Sequence, residues 1–356
     1  MAILFYPGPS TVYKEVPLYV QEAYDKGILS VNHRSKAFAE IIEITLGLLK
    51  DKLNIPEEYE IVFTSSATEC WEIITQSLLA HKSFHLYNGE FGEKWFHYTQ
   101  KLLPAAEGYE FDLNEDLLPE RINITPDSEI ICITQNETSN GTQVGQPNIQ
   151  AFKCLFPDQL IAVDATSSMA GIALNFATAD IWYASVQKCF GLPAGLGLMV
   201  LSPKAIERAY QINENRHYNS LVFMLDNIRN LQTHYTPNVL GIYLMMKVLQ
   251  ESPNIVEVEK RLMERHKRFQ HFIERITGLK FLCINEKVRS VTISAVKSNP
   301  DIIENIKLLA AKNGILLGNG YGSHKKETFR IANFPAIEDS DFQLLEKFLK
   351  EYSRKL

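Results

Sequence analysis

Along most of the chain, short apolar runs flanked by small polar residues alternate with longer stretches whose apolar residues recur every three or four positions. Ile61-Val62-Phe63, residues 84–87, Tyr109-Glu110-Phe111 and the apolar starts of 129–145 and 160–171 have the length and composition of buried strands. Residues 37–53 carry Phe38, Ile41, Ile42, Leu46, Leu49 and Leu53 at helical spacing, which predicts an amphipathic helix ending before Pro56. Gly47 weakens that helix without ending it. Residues 16–24 predict a short helix and 93–103 another. Ser66, with Glu69 three residues on, has the form of a capping box at a helix start. Phe91, between Gly89 and Gly92, reads as an aromatic in a loop.

Strands and helices alternating in this way are the signature of an open α/β sheet, in which ligands lie beyond the carboxyl ends of the strands. The chain is organised around residues 179–200. There an apolar run ends in Ser185-Val186-Gln187-Lys188, a glycine-rich bend follows, and a second apolar run closes the unit. Thr138, Asp164 and Lys188 all stand at the polar ends of strand-like runs, whereas Asp180 stands at the start of one. Beyond Pro203 the chain is more helical. A helix is predicted from Asn238 with Val239, Leu240, Tyr243, Leu244 and Val248 on its apolar face, then a long charged helix over 254–276. Strands at 280–284, 290–294 and 314–317 and helices near 302–312 and 338–351 predict a compact α+β unit. The expected division is a large, mostly parallel-sheet α/β domain at 16–255 and a smaller α+β domain made of 1–15 and 256–356.

Composition changes this picture little. A net charge of −6, with both signs interspersed, gives no general footprint for nucleic acid but permits a local basic pocket. Cys70, Cys132, Cys154, Cys189 and Cys283 form no CxxC pair, so free thiols are expected rather than disulfides or a metal site. The start MAILFYPGPST has no basic leader, and Pro-Gly-Pro interrupts its apolar run. Neither a signal peptide nor a membrane span is expected, and the default setting is cytoplasmic.

A lysine at the mouth of a buried unit is costly unless it is exposed, paired or chemically used. Taken alone, Lys188 also reads as a side chain snorkelling to solvent. Its neighbours favour chemistry. Pyridoxal phosphate needs a lysine for its aldehyde, a carboxylate beside its ring nitrogen, a flat side chain against the ring, and donors for its phosphate. Lys188, Asp164, Phe91 and the helix start at Ser66, Ala67 and Thr68 supply those types. No GxxxxGK or GxGxxG fingerprint points to a nucleotide instead.

The same motifs resemble the fold-type I, class V aminotransferases, and among them the phosphoserine aminotransferase family. The similarity runs from Pro7-Gly8-Pro9 to the segment Phe329–Phe334. By that resemblance Lys188 anchors pyridoxal phosphate, Asp164 meets its ring nitrogen, and Gln187 meets its phosphate. Thr138, in Asn136-Glu137-Thr138, lies near the ring, and Thr236 reaches the neighbouring cofactor across a homodimer. His33 and Arg34 resemble the family's substrate-phosphate element, His324 and Lys325 a second basic element supplied in trans, and Arg330 the arginine that grips the α-carboxylate. The implied reaction is transamination between O-phospho-L-serine and 2-oxoglutarate. A class V aminotransferase for a non-phosphorylated donor such as alanine or serine, with glyoxylate or pyruvate, is the alternative, and a non-catalytic binding protein on the same scaffold a second. Cysteine desulfurase is disfavoured because residues 318–327 lack a cysteine, while a kynureninase-like or decarboxylating lyase stays open. Three departures stand out: no arginine within 65–69, where Thr68 stands; Phe91 in place of the stacking tryptophan; and Tyr235 and Lys325 in place of an asparagine and an arginine.

Overall fold

The computed structural model describes residues 2–354. In chain order its strands are β1 (Ile3–Phe5), β2 (Glu60–Thr64), β3 (Ser83–Tyr87), β4 (Glu107–Glu110), β5 (Ile130–Thr134), β6 (Asn136–Glu137), β7 (Thr142–Gln143), β8 (Leu160–Asp164), β9 (Ile181–Ser185), β10 (Gly197–Leu201), β11 (Lys280–Phe281), β12 (Ile293–Lys297), β13 (Ile315–Asn319) and β14 (Thr328–Ala332). Seven of them form one sheet in the order β2-β10-β9-β8-β5-β3-β4. β10 runs antiparallel to both β2 and β9, and the remaining pairs are parallel. Every residue of β5, β8, β9 and β10 is buried. Unbroken apolar runs such as Ile130-Ile131-Cys132-Ile133 are what a strand covered on both faces by helices requires. β4, at the edge, instead has no buried residue.

The parallel register decides where the chemistry goes. Thr134 on β5, Asp164 on β8 and Tyr183 on β9 pair in line, so the segments leaving these strands emerge at one edge of the sheet. A second sheet, ordered β1-β13-β14-β12-β11, packs against helices Ile255–Glu274, Pro300–Lys312 and Asp339–Ser353 through Phe269, Ile306, Phe329, Phe342 and Leu345. Side chains from the segment before β12 reach β6 and the turn after β8. The Ser290 hydroxyl donates to Asn136 Oδ1 at 2.6 Å, and the Thr292 hydroxyl donates to the Ser167 carbonyl at 2.6 Å. Ser290 Oγ also accepts from Thr292 N at 3.2 Å and Ile293 N at 3.0 Å, which turns the backbone there, and β12 begins at Ile293 rather than at the expected residue 290.

Helix starts follow local chemistry. The Ser35 hydroxyl accepts from Phe38 N at 3.3 Å to open helix Lys36–Leu53, and Asn54 closes it in the left-handed conformation. Ser66 caps helix Ala67–Leu78 by accepting from Glu69 N, but the reciprocal Glu69 bond goes to Ser65 N rather than to Ser66 N. The expected helix at 93–103 begins earlier, at Glu90. Gly89 and Gly92 mark close approach, not a loop. A Cβ at Gly89 would stand 2.5 Å from Glu137 Cγ, and one at Gly92 would stand 2.6 Å from Tyr87 Cβ. Phe91 therefore sits in a first helical turn. The strand read at 109–111 lies instead at β4, set by pairing of Glu107 with Phe84. Helices Gln146–Leu155 and Leu221–Ile228 are additional to the sequence reading.

Asp180 has a structural role. Its buried carboxylate accepts from Ile161 N at 2.9 Å and from the Ser202 hydroxyl at 3.0 Å, and it pairs with Lys153. Replacing it strands two donors and a cation beside the sheet. Asp180→Ala should lower the unfolding free energy by about 3 kcal/mol in urea melts. A loss below about 0.5 kcal/mol, the surface value, contradicts that role.

Candidate active site

The segments leaving β5, β8 and β9, the starts of helices Ala67–Leu78 and Glu90–Leu102, and β14 from the second sheet enclose one cavity of about 440 Å³. Its wall carries Ser66, Ala67, Thr68, Phe91, Thr138, Asp164, Gln187, Lys188 and Arg330, nine of the residues singled out from the sequence. Lys188 follows β9 and is 6% exposed. Its Nζ donates to Thr138 Oγ1 at 2.7 Å and lies 5.2 Å from the centroid of the Phe91 ring. From Thr138 the hydrogen bonds continue through the Ser167 hydroxyl, at 3.0 Å, to the Asn136 carbonyl at 2.8 Å.

Burial dominates the electrostatics. Loss of water pulls the Lys188 amine down to about 8, although Asp164 and Glu137 oppose the shift. Burial likewise pushes the Asp164 carboxyl up, against hydrogen bonds from Thr166 and Tyr183 and the charge of Lys188. Thr166 N donates to Asp164 Oδ1 at 2.8 Å, and Trp71 Nε1 holds Tyr183 Oη at 2.8 Å. Glu137, also raised by burial, accepts from Phe91 N and Gly92 N at 3.2 Å each, and thereby fixes the aromatic ring over the cavity. Arg330 is 7% exposed and is lowered to about 10, chiefly by burial. Its Nε donates to the Asn319 carbonyl at 2.7 Å and Nη1 to the Thr138 carbonyl at 2.9 Å. Both partners are neutral, so this guanidinium faces the cavity with its charge uncompensated by a paired carboxylate.

Five sequence-predicted residues are not brought to this cavity by their own chain. Arg34 is exposed and bonds Gln232, which ties the His33-Arg34 turn to the loop carrying exposed Thr236. Lys325 is exposed as well. The His324 ring stands 2.8 Å from Glu327 Oε1, beside a separate hollow of about 290 Å³. Residues missed from the sequence include Trp71, Lys94, Tyr98, Thr166 and Tyr321. The spacing Phe91, Lys94, Tyr98 was the available signal, because it is one face of a helix once the helix starts at Glu90.

Comparison with known proteins decides the family. The model of the aminotransferase class-V family matches residues 3–330. The chain belongs to the class-V aminotransferases. A phosphoserine aminotransferase from Cytophaga hutchinsonii ATCC 33406 superposes with a TM-score of 0.93 at 35% identity, covering 98% of both chains. The phosphoserine aminotransferase of Rhodococcus opacus (strain B4) is 27% identical over 352 residues, 96% of this chain and 92% of that protein. An alanine–glyoxylate aminotransferase from Nostoc sp., 18% identical with a TM-score of 0.83 over 98% of this chain and 94% of that one, shares the fold.

The cofactor of this aminotransferase is pyridoxal phosphate, and the cavity fits it. Thr166 Oγ1, on the wall, is a buried hydroxyl with no hydrogen-bond partner. Lys188 presents an amine that loses its proton far more readily than a free lysine, and Asp164 is a buried carboxyl that a cationic ring nitrogen would stabilise. The amine reacts only when unprotonated. Capture of pyridoxal phosphate by cofactor-free enzyme, followed by absorbance, should therefore accelerate with pH through about 8 and then level. The unfolded chain holds the proton up to about 10.5, so this group also makes the empty enzyme more stable as pH rises from about 8 to 10.5. Capture still accelerating beyond pH 10 would contradict a depressed Lys188.

Proposed function

We propose that the enzyme transfers an amino group between O-phospho-L-serine and 2-oxoglutarate, with 3-phosphohydroxypyruvate and L-glutamate as the other pair. Arg330 carries this reading: a buried guanidinium, held by two carbonyls and short of a counter-anion, in the wall that also holds Lys188. A planar fork in that state suits the α-carboxylate of an amino or oxo acid. Phosphoserine as the particular donor is supported by relatives of that name at 27% and 35% identity.

Pyridoxal phosphate, when bound, supplies an electron sink that makes the Cα–H bond of an amino acid acidic. The chain's residues do the rest. Lys188 would hold the cofactor's aldehyde, and with substrate bound its free amine would take the proton from Cα of the amino donor and, in the other half of the reaction, give one to Cα of the oxo acid. A group near 8 suits both directions at neutral pH. Asp164 would keep the ring nitrogen protonated, Phe91 would pack on the flat face, and Ser66, Ala67, Thr68 and Gln187 would receive the phosphate. Thr138 holds the Lys188 amine through its hydroxyl and Arg330 through its carbonyl, so base and carboxylate site share one anchor.

The active unit in this reading is a homodimer. His33, Arg34, Thr236, His324 and Lys325 stand outside their own cavity, and the Arg34–Gln232 contact gathers three of them on one surface. A second copy of the chain would receive Thr236 at its cofactor phosphate and the basic groups at its substrate phosphate. The working division is 16–255 for the cofactor domain, with 1–15 and 256–356 as the smaller one; β1 pairing with β13 supports it. Five free cysteines, four of them buried, accord with a reducing cytoplasmic setting. The described residues contain no helix long and apolar enough to cross a membrane.

A donor panel tests the substrate. Arg330→Ala should lower kcat/KM about 10- to 150-fold for every amino donor, the loss of one charge-assisted pair. Arg34→Ala should reduce the phosphoserine value selectively, and gel filtration should give about twice 40.6 kDa. Equal loss for alanine and phosphoserine in Arg34→Ala, or full activity in a single-chain species, contradicts this reading and favours a non-phosphorylated donor.

A further inference from the structure

Arg330 and the lysine anchor account for two of the cations on the cavity wall. The third is Lys94. It belongs to helix Glu90–Leu102, on the face that also presents Phe91 and Tyr98 to the cavity. Its ammonium donates to Tyr321 Oη at 2.8 Å and lies 4.6 Å from the Tyr321 ring centroid and 5.6 Å from that of Phe91. The nearest paired carboxylate, Glu90 one turn back, is 3.9 Å away, at the outer limit of an ion pair. An ammonium has three donors, and one of them meets a neutral hydroxyl. The side chain is 40% exposed, yet its charged end stands against two aromatic rings.

Arg330 flanks the same ring, with its guanidinium carbon 5.1 Å from the Tyr321 centroid. The two cations therefore lie within about 10 Å of each other and share the Tyr321 ring. Two cations that close on one cavity wall can be bridged, through charge-assisted contacts of about 2.8 Å, by a small molecule with two anions a few bonds apart. Glutamate, 2-oxoglutarate and phosphoserine all have that form.

We propose that Lys94 is a specificity residue. Its ammonium receives the distal anion of dianionic amino- and oxo-acid substrates, phosphate or carboxylate alike, while Arg330 holds the α-carboxylate. The positive charge absent from residues 65–69 is thus supplied by the same chain from a different helix. This assignment rests on the acidic-substrate reading above.

Half-reactions of the cofactor-loaded enzyme with phosphoserine, L-glutamate and L-alanine test both levels. Lys94→Met keeps the aliphatic packing on Phe91 and Tyr321 and removes the charge. It should lower kcat/KM for phosphoserine and for glutamate by about tenfold or more, through KM, and change the alanine value less than about twofold. Lys94→Arg should recover most of the loss for both acids. Equal losses for all three donors in Lys94→Met, or unchanged values for both acids while wild type prefers them, overturn the Lys94 assignment alone. A wild-type enzyme that prefers alanine to both acids overturns the substrate reading, and this inference with it.

Discussion

An amine taken out of water must be paired, neutralised or used, and Lys188 is given a hydroxyl where a carboxylate would have fixed its charge. Keeping it protonated at neutral pH costs on the order of 3 kcal/mol, the free energy separating about 8 from 10.5. The surrounding structure is built to maintain that condition. β9 delivers the lysine at its end, and the N-terminal segment passes over it. Gly8, at φ +147, brings the backbone so near that a Cβ there would stand 3.0 Å from Lys188 Cε. Asp164 is displaced in the opposite sense by the same burial. An amine tending to neutrality and a carboxyl tending to protonation share one cavity, and a cationic heterocycle bearing an aldehyde satisfies both.

Thr138 joins this site to the second sheet. Its hydroxyl receives the Lys188 amine, and its carbonyl receives Arg330 from β14. Nearby, Asn136 accepts from Ser290 and donates to Thr292 Oγ1 at 3.0 Å. The spacing between the Lys188 amine and the Arg330 guanidinium is therefore set by one residue, close to Asn136, which the segment before β12 holds in place. In the proposed reaction, orientation held in this way would lower the entropy cost of bringing Cα to the Lys188 amine. Glu137 performs the companion task on the opposite side, where its carboxylate satisfies two backbone donors at a helix start and so places Phe91.

The sequence exposes whatever lies at the end of a strand. Asp164 ends β8, Thr138 and Lys188 follow β5 and β9 a few residues on, and parallel strands in one register send such segments to one edge of the sheet. Arg330 was legible only by likeness to a family, because an arginine in an apolar strand otherwise reads as one half of an internal ion pair. Lys94, Tyr98 and Trp71 were hidden by helical periodicity, since a lysine on an amphipathic helix ordinarily faces water. Phe91 lines the cavity from a first helical turn and not from a loop. Its flanking glycines look like a loop, yet their work is to let a helix start touch Glu137 and Tyr87. The basic residues at 33–34 and 324–325 belong to surface turns, and no spacing rule places a surface turn relative to a cavity.

The most direct measurement of the central claim is chemical. Cofactor-loaded enzyme is reduced with borohydride, digested, and its peptides are mapped by mass. The pyridoxyl mass should fall on the peptide containing Lys188 and on no other, and Lys188→Ala should yield none. Label on a different lysine, or a reduced protein that releases all its cofactor on denaturation, would contradict the account.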